Sequence, residues 1–305
     1  MSTSRVSASN HPANAGPQFQ RILVATDFSA GARAALDCAL GIARRYQSKI
    51  FLIHVIPTAV LQYVSPENFE EVIQQAKQFG AGEMRRLVEE AGCAGMVHEE
   101  ILWGAGVWPL LQDFGKRSGV DLVVLGTHGR TAGEKQLLGL GHVAEEIFRL
   151  AEWPVMTVGG GTGKSTLATD GVQKILYATN FKPHSERAAA YAHSLEREHG
   201  GKLTVLHVVE DQLQSRESSQ GILRDFMLRR MRKGLPSECV GNCEPEFQVR
   251  FGDAGEAILS VAHEQASDLI IIGLRAGARA EGQLPSAIAY KLVCRADCPV
   301  LTTHL

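Results

Sequence analysis

The sequence predicts an α/β protein made of two tandem, open, doubly wound domains of Rossmann-like type, each with a parallel sheet in the strand order 3-2-1-4-5. Short apolar segments alternate with helical ones, which is typical of doubly wound folds. The strand segments are almost continuously apolar, as parallel strands buried on both faces should be. The same order of elements also occurs twice. With 305 residues, 45% of them apolar and 21% charged, the chain can bury two cores.

The first half of the chain contains the elements of one complete domain. Its first strand ends at Asp27-Phe-Ser29, where Asp27 or Ser29 can cap the helix that follows. In that helix small and apolar residues recur at helical spacing, which indicates close packing on a sheet. We predict strands at 21–26, 49–55, 97–102, 121–125 and 154–158, and helices at 30–46, 65–91, 107–117 and 143–150.

The second half repeats the first. Residues 175–209 align without a gap with residues 22–56, at a constant offset of 153 (175 minus 22). The motif Ile-Leu-x-Ala-Thr-x-Phe and a His-Val pair at the end of the second strand occur in both copies. We therefore predict a tandem duplication. The predicted parts are a disordered tail at 1–18, domains at 19–158 and 174–305, and a linker at 159–173.

Composition argues against several classes of partner. A formal net charge of −2 and a pI near 6.6 give no broad basic footprint, so we expect no nucleic-acid partner. The basic cluster at 229–233 lies on a predicted amphipathic helix and is interpreted as a solvated face. No apolar run approaches the roughly 18 residues of a membrane span, and we interpret the N-terminal segment as a disordered tail rather than a secretion signal. We expect a cytoplasmic protein that does not enter a membrane.

The six cysteines leave a zinc site as an alternative, because the pairs Cys239/Cys243 and Cys294/Cys298 have a spacing that zinc ligands can adopt. In the predicted topology, however, the strands that follow the two pairs lie at opposite sheet edges. They would be about four strand spacings of ~4.8 Å apart, too far for one shared ion. Free thiols in a reducing compartment are the better interpretation, and no metal ligand cluster is predicted.

A glycine-dense stretch at 126–146, GTHGRTAGEKQLLGLGHVAEE, follows the fourth strand. The missing Cβ atoms of Gly126 and Gly129 let the backbone approach a ligand, and Arg130 could bind a phosphate. Gly139, Gly141 and His142 precede or open the helix predicted from Val143, where the helix dipole favours an anion. A surface turn without a ligand remains an alternative on the glycines alone. Asp27 favours a site, because neighbouring strands 1 and 4 bring it to the same crevice.

A second glycine-rich segment, GGGTGKST in the linker, resembles a phosphate-binding P-loop. That motif needs a further glycine where Val158 stands, and it needs a helix to follow, whereas this segment leads into a strand. We interpret it as a flexible linker.

From residue 21 to residue 303 the chain resembles a tandem universal stress protein. The matching motifs are ATDF at 25–28, HV at 54–55 and GTHGR at 126–130. The resemblance implies that Asp27 and Val55 hold adenine and ribose, while the glycine stretch holds the phosphates of ATP, with ADP and AMP as alternatives. Magnesium could accompany the nucleotide. The predicted nucleotide-binding set is Thr26, Asp27, Val55, Gly126, Thr127, Gly129, Arg130, Gly139, Gly141, His142 and Val143.

The sequence departs from the family pattern at the phosphate end. Counting nine residues from Gly129 reaches Gly139, but Leu140 follows where the family has Ser or Thr. Aligning on Val143 instead places Gly141-His142 at the Gly-Ser pair and implies a two-residue insertion. We prefer this second register because it preserves the helix start. The His142 ring can donate a hydrogen bond in place of the hydroxyl.

The second domain departs further. Asn180 replaces the Asp, Ala276 replaces the second glycine, and Ser286-Ala287 replaces the Gly-Ser pair. We predict weak or no nucleotide binding there and a structural role in pairing with the first domain. The resemblance implies dimerisation through the closing edge strands 154–158 and 299–303. These would make the chain a built-in pseudo-dimer and could also form a homodimer.

The leading functional hypothesis is a cytoplasmic stress-response sensor or adaptor that binds an adenine nucleotide in the first domain. One alternative is a nucleotide-independent dimeric scaffold. Another is an enzyme, either a slow ATPase or an ATP pyrophosphatase-like protein of related fold. The segment ATDFSAG at 25–31 is not the Ser-Gly-Gly loop of the latter enzymes, and no catalytic base, nucleophile or metal cluster is apparent.

Overall fold

A computed structural model describes residues 19–127, 140–159, 171–210, 217–233, 245–274 and 287–304. The predicted tail at 1–18 and most of the predicted linker, residues 160–170, lie outside these ranges. Within the ranges, no helix combines the length and the apolar character needed to cross a bilayer.

The first domain alternates strand and helix from its first element to its last. Its elements are β1 (Arg21–Thr26), α1 (Ala30–Tyr46), β2 (Lys49–Pro57), α2 (Phe69–Glu90), β3 (Val97–Gly104), α3 (Val107–Ser118), β4 (Leu122–Gly126), α4 (His142–Leu150) and β5 (Val155–Val158). Two short 3-10 turns, Thr58–Tyr63 and Pro66–Asn68, lie between β2 and α2.

The second domain repeats that order. Its elements are β6 (Lys174–Ala178), α5 (Pro183–His199), β7 (Lys202–Val209), α6 (Glu217–Lys233), β8 (Glu246–Phe251), α7 (Ala254–Gln265), β9 (Leu269–Leu274), α8 (Ala287–Arg295) and β10 (Val300–His304).

The two domains share one ten-stranded sheet in the order β3-β2-β1-β4-β5-β10-β9-β6-β7-β8. Each domain therefore has the predicted order 3-2-1-4-5, and all pairs within a domain are parallel. The two closing strands pair antiparallel, with Leu301 opposite Met156. This confirms the predicted α/β pseudo-dimer. It also leaves both edges of β5 and β10 occupied within the chain.

Helices cover both faces of the sheet. One buried cluster joins alternate strand residues, such as Ile22, Val24 and Leu122, to α1, α2, α5 and α6. The other joins the intervening residues, such as Leu23 and Val123, to α3, α4, α7 and α8. Because successive strand residues face opposite layers and both layers are apolar, the strands must be apolar throughout.

Several predicted boundaries need correction. The predicted helix at 65–91 begins only at Phe69, because Pro66 opens a separate 3-10 turn. Strand β2 extends two residues past Val55 to Pro57, since its pairing with β3 continues to Gly104. The closing strands β5 and β10, each predicted as the edge of its own domain's sheet, pair with each other at the centre of the joined sheet. Strands β10 and β8, which follow the two cysteine pairs, are four strand spacings apart, as predicted. Cys239 and Cys243 themselves lie outside the described residues.

Candidate functional site

The turn after β1 fixes the position of Asp27. The Oγ1 atom of Thr26 accepts a hydrogen bond from the Phe28 N–H at 3.1 Å, and Oδ1 of Asp27 accepts one from the Ser29 N–H at 3.0 Å. Ser29 then caps α1 by accepting from the Ala32 N–H at 3.1 Å. These local bonds hold the half-buried Asp27 carboxylate at the carboxyl end of β1.

Phe28 adopts an unusual backbone conformation in this turn, with φ at +65°. Its ring centroid lies 4.5 Å from that of His54, and Nδ1 of His54 lies 3.0 Å from the Thr26 carbonyl oxygen. His54 is thus a histidine bonded to the sheet backbone, as predicted, and its ring packs against Phe28 of the turn. Val55 follows it on β2, half-buried and beside the end of β1.

Gly126 ends β4 against the first turn of α1. A Cβ atom at this position would lie 2.5 Å from both the carbonyl carbon and the carbonyl oxygen of Gly31. The absence of a side chain is therefore required by the packing of β4 on the helix. This structural requirement is independent of any ligand.

Residues on the two sides of the segment 128–139 are hydrogen bonded to each other. The Thr127 N–H donates to the Val158 carbonyl at 3.0 Å, and the Gly141 N–H donates to the Thr127 carbonyl at 2.8 Å. Thr127 is almost fully buried. Gly129, Arg130 and Gly139 of the predicted site lie outside the described residues.

Helix α4 begins at His142, one residue before its predicted start at Val143. Gly141 is its N-cap residue, with extended backbone angles and no side-chain cap hydrogen bond. His142 is the exposed first residue of the helix, and half-buried Val143 follows it. Leu140, which takes the position of a ligand hydroxyl in the alternative register, is only 8% exposed. The N-terminus of α4 is an end that favours anions.

Strand pairing brings these parts to the same end of the sheet. β1 and β4 are parallel neighbours, with Val24 opposite Val124, so their carboxyl ends lie side by side. Eight predicted site residues therefore lie near the carboxyl ends of β1, β2 and β4: Thr26, Asp27, Val55, Gly126, Thr127, Gly141, His142 and Val143. In the described ranges, no three His, Cys, Asp or Glu side chains converge to hold a metal ion.

The corresponding turn of the second domain, after β6, is built differently. Oδ1 of Asn180 accepts from the Lys182 N–H at 3.1 Å and from Oγ of Ser185 at 2.7 Å. Its Nδ2 atom lies 3.1 Å from Nε2 of His184, which stands where the first domain has Gly31. The polar atoms of Asn180 are thus bonded within the domain. Ala276 and Ser286 lie outside the described residues.

The histidine beneath the turn is repeated in the second domain. Nδ1 of His207 lies 2.8 Å from the Thr179 carbonyl oxygen, and the ring is 4.4 Å from that of Phe181. Burial lowers the pKa of His207, and the charge of Arg230 lowers it further, against the effect of the Thr179 carbonyl. A neutral, structurally bonded ring is the result.

Sequence reasoning missed two features of the site. The positive φ of Phe28 recurs at Phe181, so the repeated Thr-x-Phe motif was an available signal for a conserved turn geometry within the chain. The hydrogen bond from the Leu140 N–H to Tyr290 of the second domain could not be predicted from local sequence, because the two residues are 150 positions apart.

Comparison with known proteins relates both halves of the chain to one protein family. The model of the Universal stress protein family matches residues 18–159 and again residues 171–304. A universal stress protein of Methanocaldococcus jannaschii is 27% identical over 46% of this chain and 82% of its own length. One from Bacillus subtilis is 30% identical over 46% of this chain and 99% of its own.

A solved structure extends the likeness to both domains. The crystal structure of a universal stress protein from Archaeoglobus fulgidus covers 94% of this chain and 99% of its own, with a TM-score of 0.65 and 19% identity. At that identity the similarity concerns the fold, including its tandem arrangement.

Proposed function

The chain belongs to the universal stress protein family, and from that premise we propose that its first domain binds an adenine nucleotide and acts as a cytoplasmic stress-response sensor or adaptor. ATP is the proposed ligand, with ADP and AMP as alternatives. The nucleotide would lie in the crevice between the ends of β1 and β4, with magnesium accompanying its phosphates.

The observation that carries this proposal is an oriented carboxylate and a glycine-capped helix N-terminus at the carboxyl ends of the neighbouring strands β1 and β4. Asp27 is held by its own turn at the end of β1, and Gly141 starts α4 without a side-chain cap. A carboxylate can accept hydrogen bonds from ribose hydroxyls or an adenine amine, whereas the helix N-terminus suits phosphate. A nucleotide lying between the ends of β1 and β4 would meet the carboxylate at its adenosine end and the helix N-terminus at its phosphates.

We assign the remaining site residues to the two ends of the nucleotide from the family resemblance and from their places at the strand ends. Val55 would give the adenosine part an apolar contact beside Asp27. Thr127, Gly141, His142 and Val143 would lie at the phosphate end, together with the predicted Gly129, Arg130 and Gly139. The ring of His142 takes the role that the family gives to a hydroxyl, as a hydrogen-bond donor.

A binding experiment tests the proposed site. Asp27→Asn keeps the oxygen that accepts from Ser29 but removes the charge, so the turn should survive. We expect this variant to bind ATP at least about tenfold more weakly than the wild type, since hydrogen bonds to charged groups are the stronger ones. Isothermal titration calorimetry measures the affinity, and Asn180→Ala at the equivalent position of the second domain is the control. Equal affinity in the wild type and Asp27→Asn would overturn the assignment.

One observation favours a second function, a scaffold that works without nucleotide. Leu140 is buried and bonded to Tyr290 of the second domain beside the proposed phosphate end, which supports a role for this region in domain pairing. Mass spectrometry of nucleotide carried through purification separates the two functions. A protein that carries no nucleotide and shows no thermal shift with ATP would support the scaffold.

A further inference from the structure

The second domain reaches the start of α4 in the first domain through one tyrosine. The Leu140 N–H donates a hydrogen bond to Oη of Tyr290 at 3.2 Å. Tyr290 is half-buried on α8. Cys294 lies one helical turn further along α8, where burial raises the pKa of its thiol and the Tyr290 side chain and the Leu140 backbone oppose that shift.

This contact adds to the one that already holds the same backbone to the sheet. Leu140 is adjacent to Gly141, whose N–H donates to the Thr127 carbonyl at 2.8 Å. Two consecutive N–H groups at the start of α4 are thus bonded in different directions, one to the end of β4 and the other to the second domain. Together the two bonds tie the backbone at the start of α4 to the end of β4 and to the second domain.

The contact is asymmetric despite the duplicated fold. Aligning Pro154 with Pro299 gives an offset of 145 in this region (299 minus 154). The counterpart of Leu140 is then Pro285, which has no N–H to donate, and the counterpart of Tyr290 is Glu145. The reciprocal hydrogen bond therefore cannot form. The bond of Tyr290 is thus made to the domain that has the nucleotide motif.

We propose that Tyr290 is a positioning residue of the second domain, which orients the N-terminus of α4 for the phosphates of a nucleotide bound in the first domain. The inference rests on the proposed nucleotide function. It gives the second domain, with its degraded motif, a role in binding at the other site. Phosphate affinity then depends on the contact between domains, whereas adenosine affinity does not.

The discriminating measurement compares two ligands. Tyr290→Phe keeps the ring and removes the hydroxyl, and Tyr290→Phe combined with Cys294→Ala also removes the thiol that could accept from Leu140 instead. We expect ATP to bind about two- to tenfold more weakly to these variants, the effect of one neutral hydrogen bond, with adenosine affinity unchanged. Equal weakening for both ligands, or none for ATP, would overturn the positioning role.

Tyr177→Phe is the matched control. Its hydroxyl donates to the Ser185 carbonyl at 2.6 Å, so this variant also loses one tyrosine hydrogen bond from the second domain, away from α4. It should leave the ratio of ATP affinity to adenosine affinity as in the wild type. A change of that ratio in Tyr177→Phe would assign the effect to general loosening of the domain and so contradict the proposal.

Amide hydrogen exchange without nucleotide tests the positioning separately from binding. In Tyr290→Phe we expect faster exchange at Leu140 and Gly141 than in the wild type, with exchange in β1 unchanged. Unchanged exchange at Leu140 overturns the positioning role, whatever the affinities. A wild-type protein that binds no nucleotide overturns the proposed function and the affinity part of this inference together, even where exchange responds.

Discussion

Gly31 and Gly126 lie so close that a Cβ atom on Gly126 would be 2.5 Å from the Gly31 carbonyl carbon. The second domain has the same close approach, since a Cβ on Gly273 would lie 2.1 Å from the His184 carbonyl oxygen. A glycine at the end of this strand is thus needed even in the domain with the degraded motif. Gly126 by itself therefore says little about a ligand.

Gly126→Ala should destabilise the fold. The clash is with backbone atoms, which cannot rotate away as a side chain can, so we expect a loss of about 1–3 kcal/mol. Thermal unfolding should show a melting temperature lower by at least about 2–4 °C. Gly82→Ala on α2 is the control, because a Cβ there meets nothing within 4 Å and alanine favours a helix. A melting temperature for Gly126→Ala equal to that of the wild type would contradict the packing explanation.

Much of the fold was predictable because its signals are local. The bounds of β1 and α1 follow from an apolar run, a capping Ser29 and helical spacing, and the structure reproduces both. The duplication then predicted the second domain, and the family resemblance implied the pairing of the closing strands. The 3-10 turns before α2 were missed because Pro66 fits the first turn of a helix as well as a separate turn.

The candidate site was predictable only in part. Motifs gave the position of Asp27 and the start of α4, since both follow from strand ends in a known sheet order. The roles of His184 and Tyr290 depend on side chains that meet across a turn or across domains. His184 pairs with Asn180, and Tyr290 with Leu140, through contacts that no spacing in the sequence reveals.

Asn180→Ala should weaken the second domain without affecting nucleotide binding. The substitution removes the acceptor for the Lys182 N–H and for Oγ of Ser185, and with it the contact to His184. We expect a loss of about 1 kcal/mol in the free energy of unfolding, as for other turn and cap side chains. Urea denaturation measures this loss, and ATP titration should give the wild-type affinity. A marked fall in ATP affinity would show that the second crevice takes part in binding.

The paired closing strands predict a further effect on stability. Oγ1 of Thr157 donates to the Val300 carbonyl at 3.3 Å, and Oγ1 of Thr302 donates to the Val155 carbonyl at 3.1 Å. Both threonines are almost fully buried, so valine preserves their shape and removes the bond. Thr157→Val and Thr302→Val should each cost about 1 kcal/mol. Calorimetry of the double variant should show a lower melting temperature, and an unchanged one would contradict a role for these hydroxyls in joining the domains.

A histidine at the domain boundary predicts a dependence of stability on pH. Nε2 of His199 lies 3.3 Å from Oη of Tyr46 in the first domain, and Nδ1 accepts from the Val172 N–H at 3.3 Å. Burial lowers the pKa of His199, and Arg45 lowers it further, while Glu198 opposes the shift. A proton on Nδ1 would also break the bond from Val172. The folded protein therefore keeps this ring neutral.

The sign of the effect follows from the lowered pKa. As the pH falls, the unfolded chain takes up the proton on His199 first, near its ordinary pKa of about 6.5. The contribution of His199 to stability is therefore complete above that pH and is lost as the pH falls toward the lower pKa of the folded state. The lowered pKa of His207 acts in the same direction. His199→Gln should thus lose less stability than the wild type between about pH 7.5 and about pH 5.5, with a residual slope from His207.

Urea denaturation at both pH values measures the difference, and His263→Gln is the control because the His263 side chain is 82% exposed. The control should follow the wild type. If His199→Gln also follows the wild type across the whole range, the ring at the domain boundary does not govern the acid sensitivity of the protein. The loss would then have to arise elsewhere, because only a group whose pKa differs between folded and unfolded chains can make stability depend on pH.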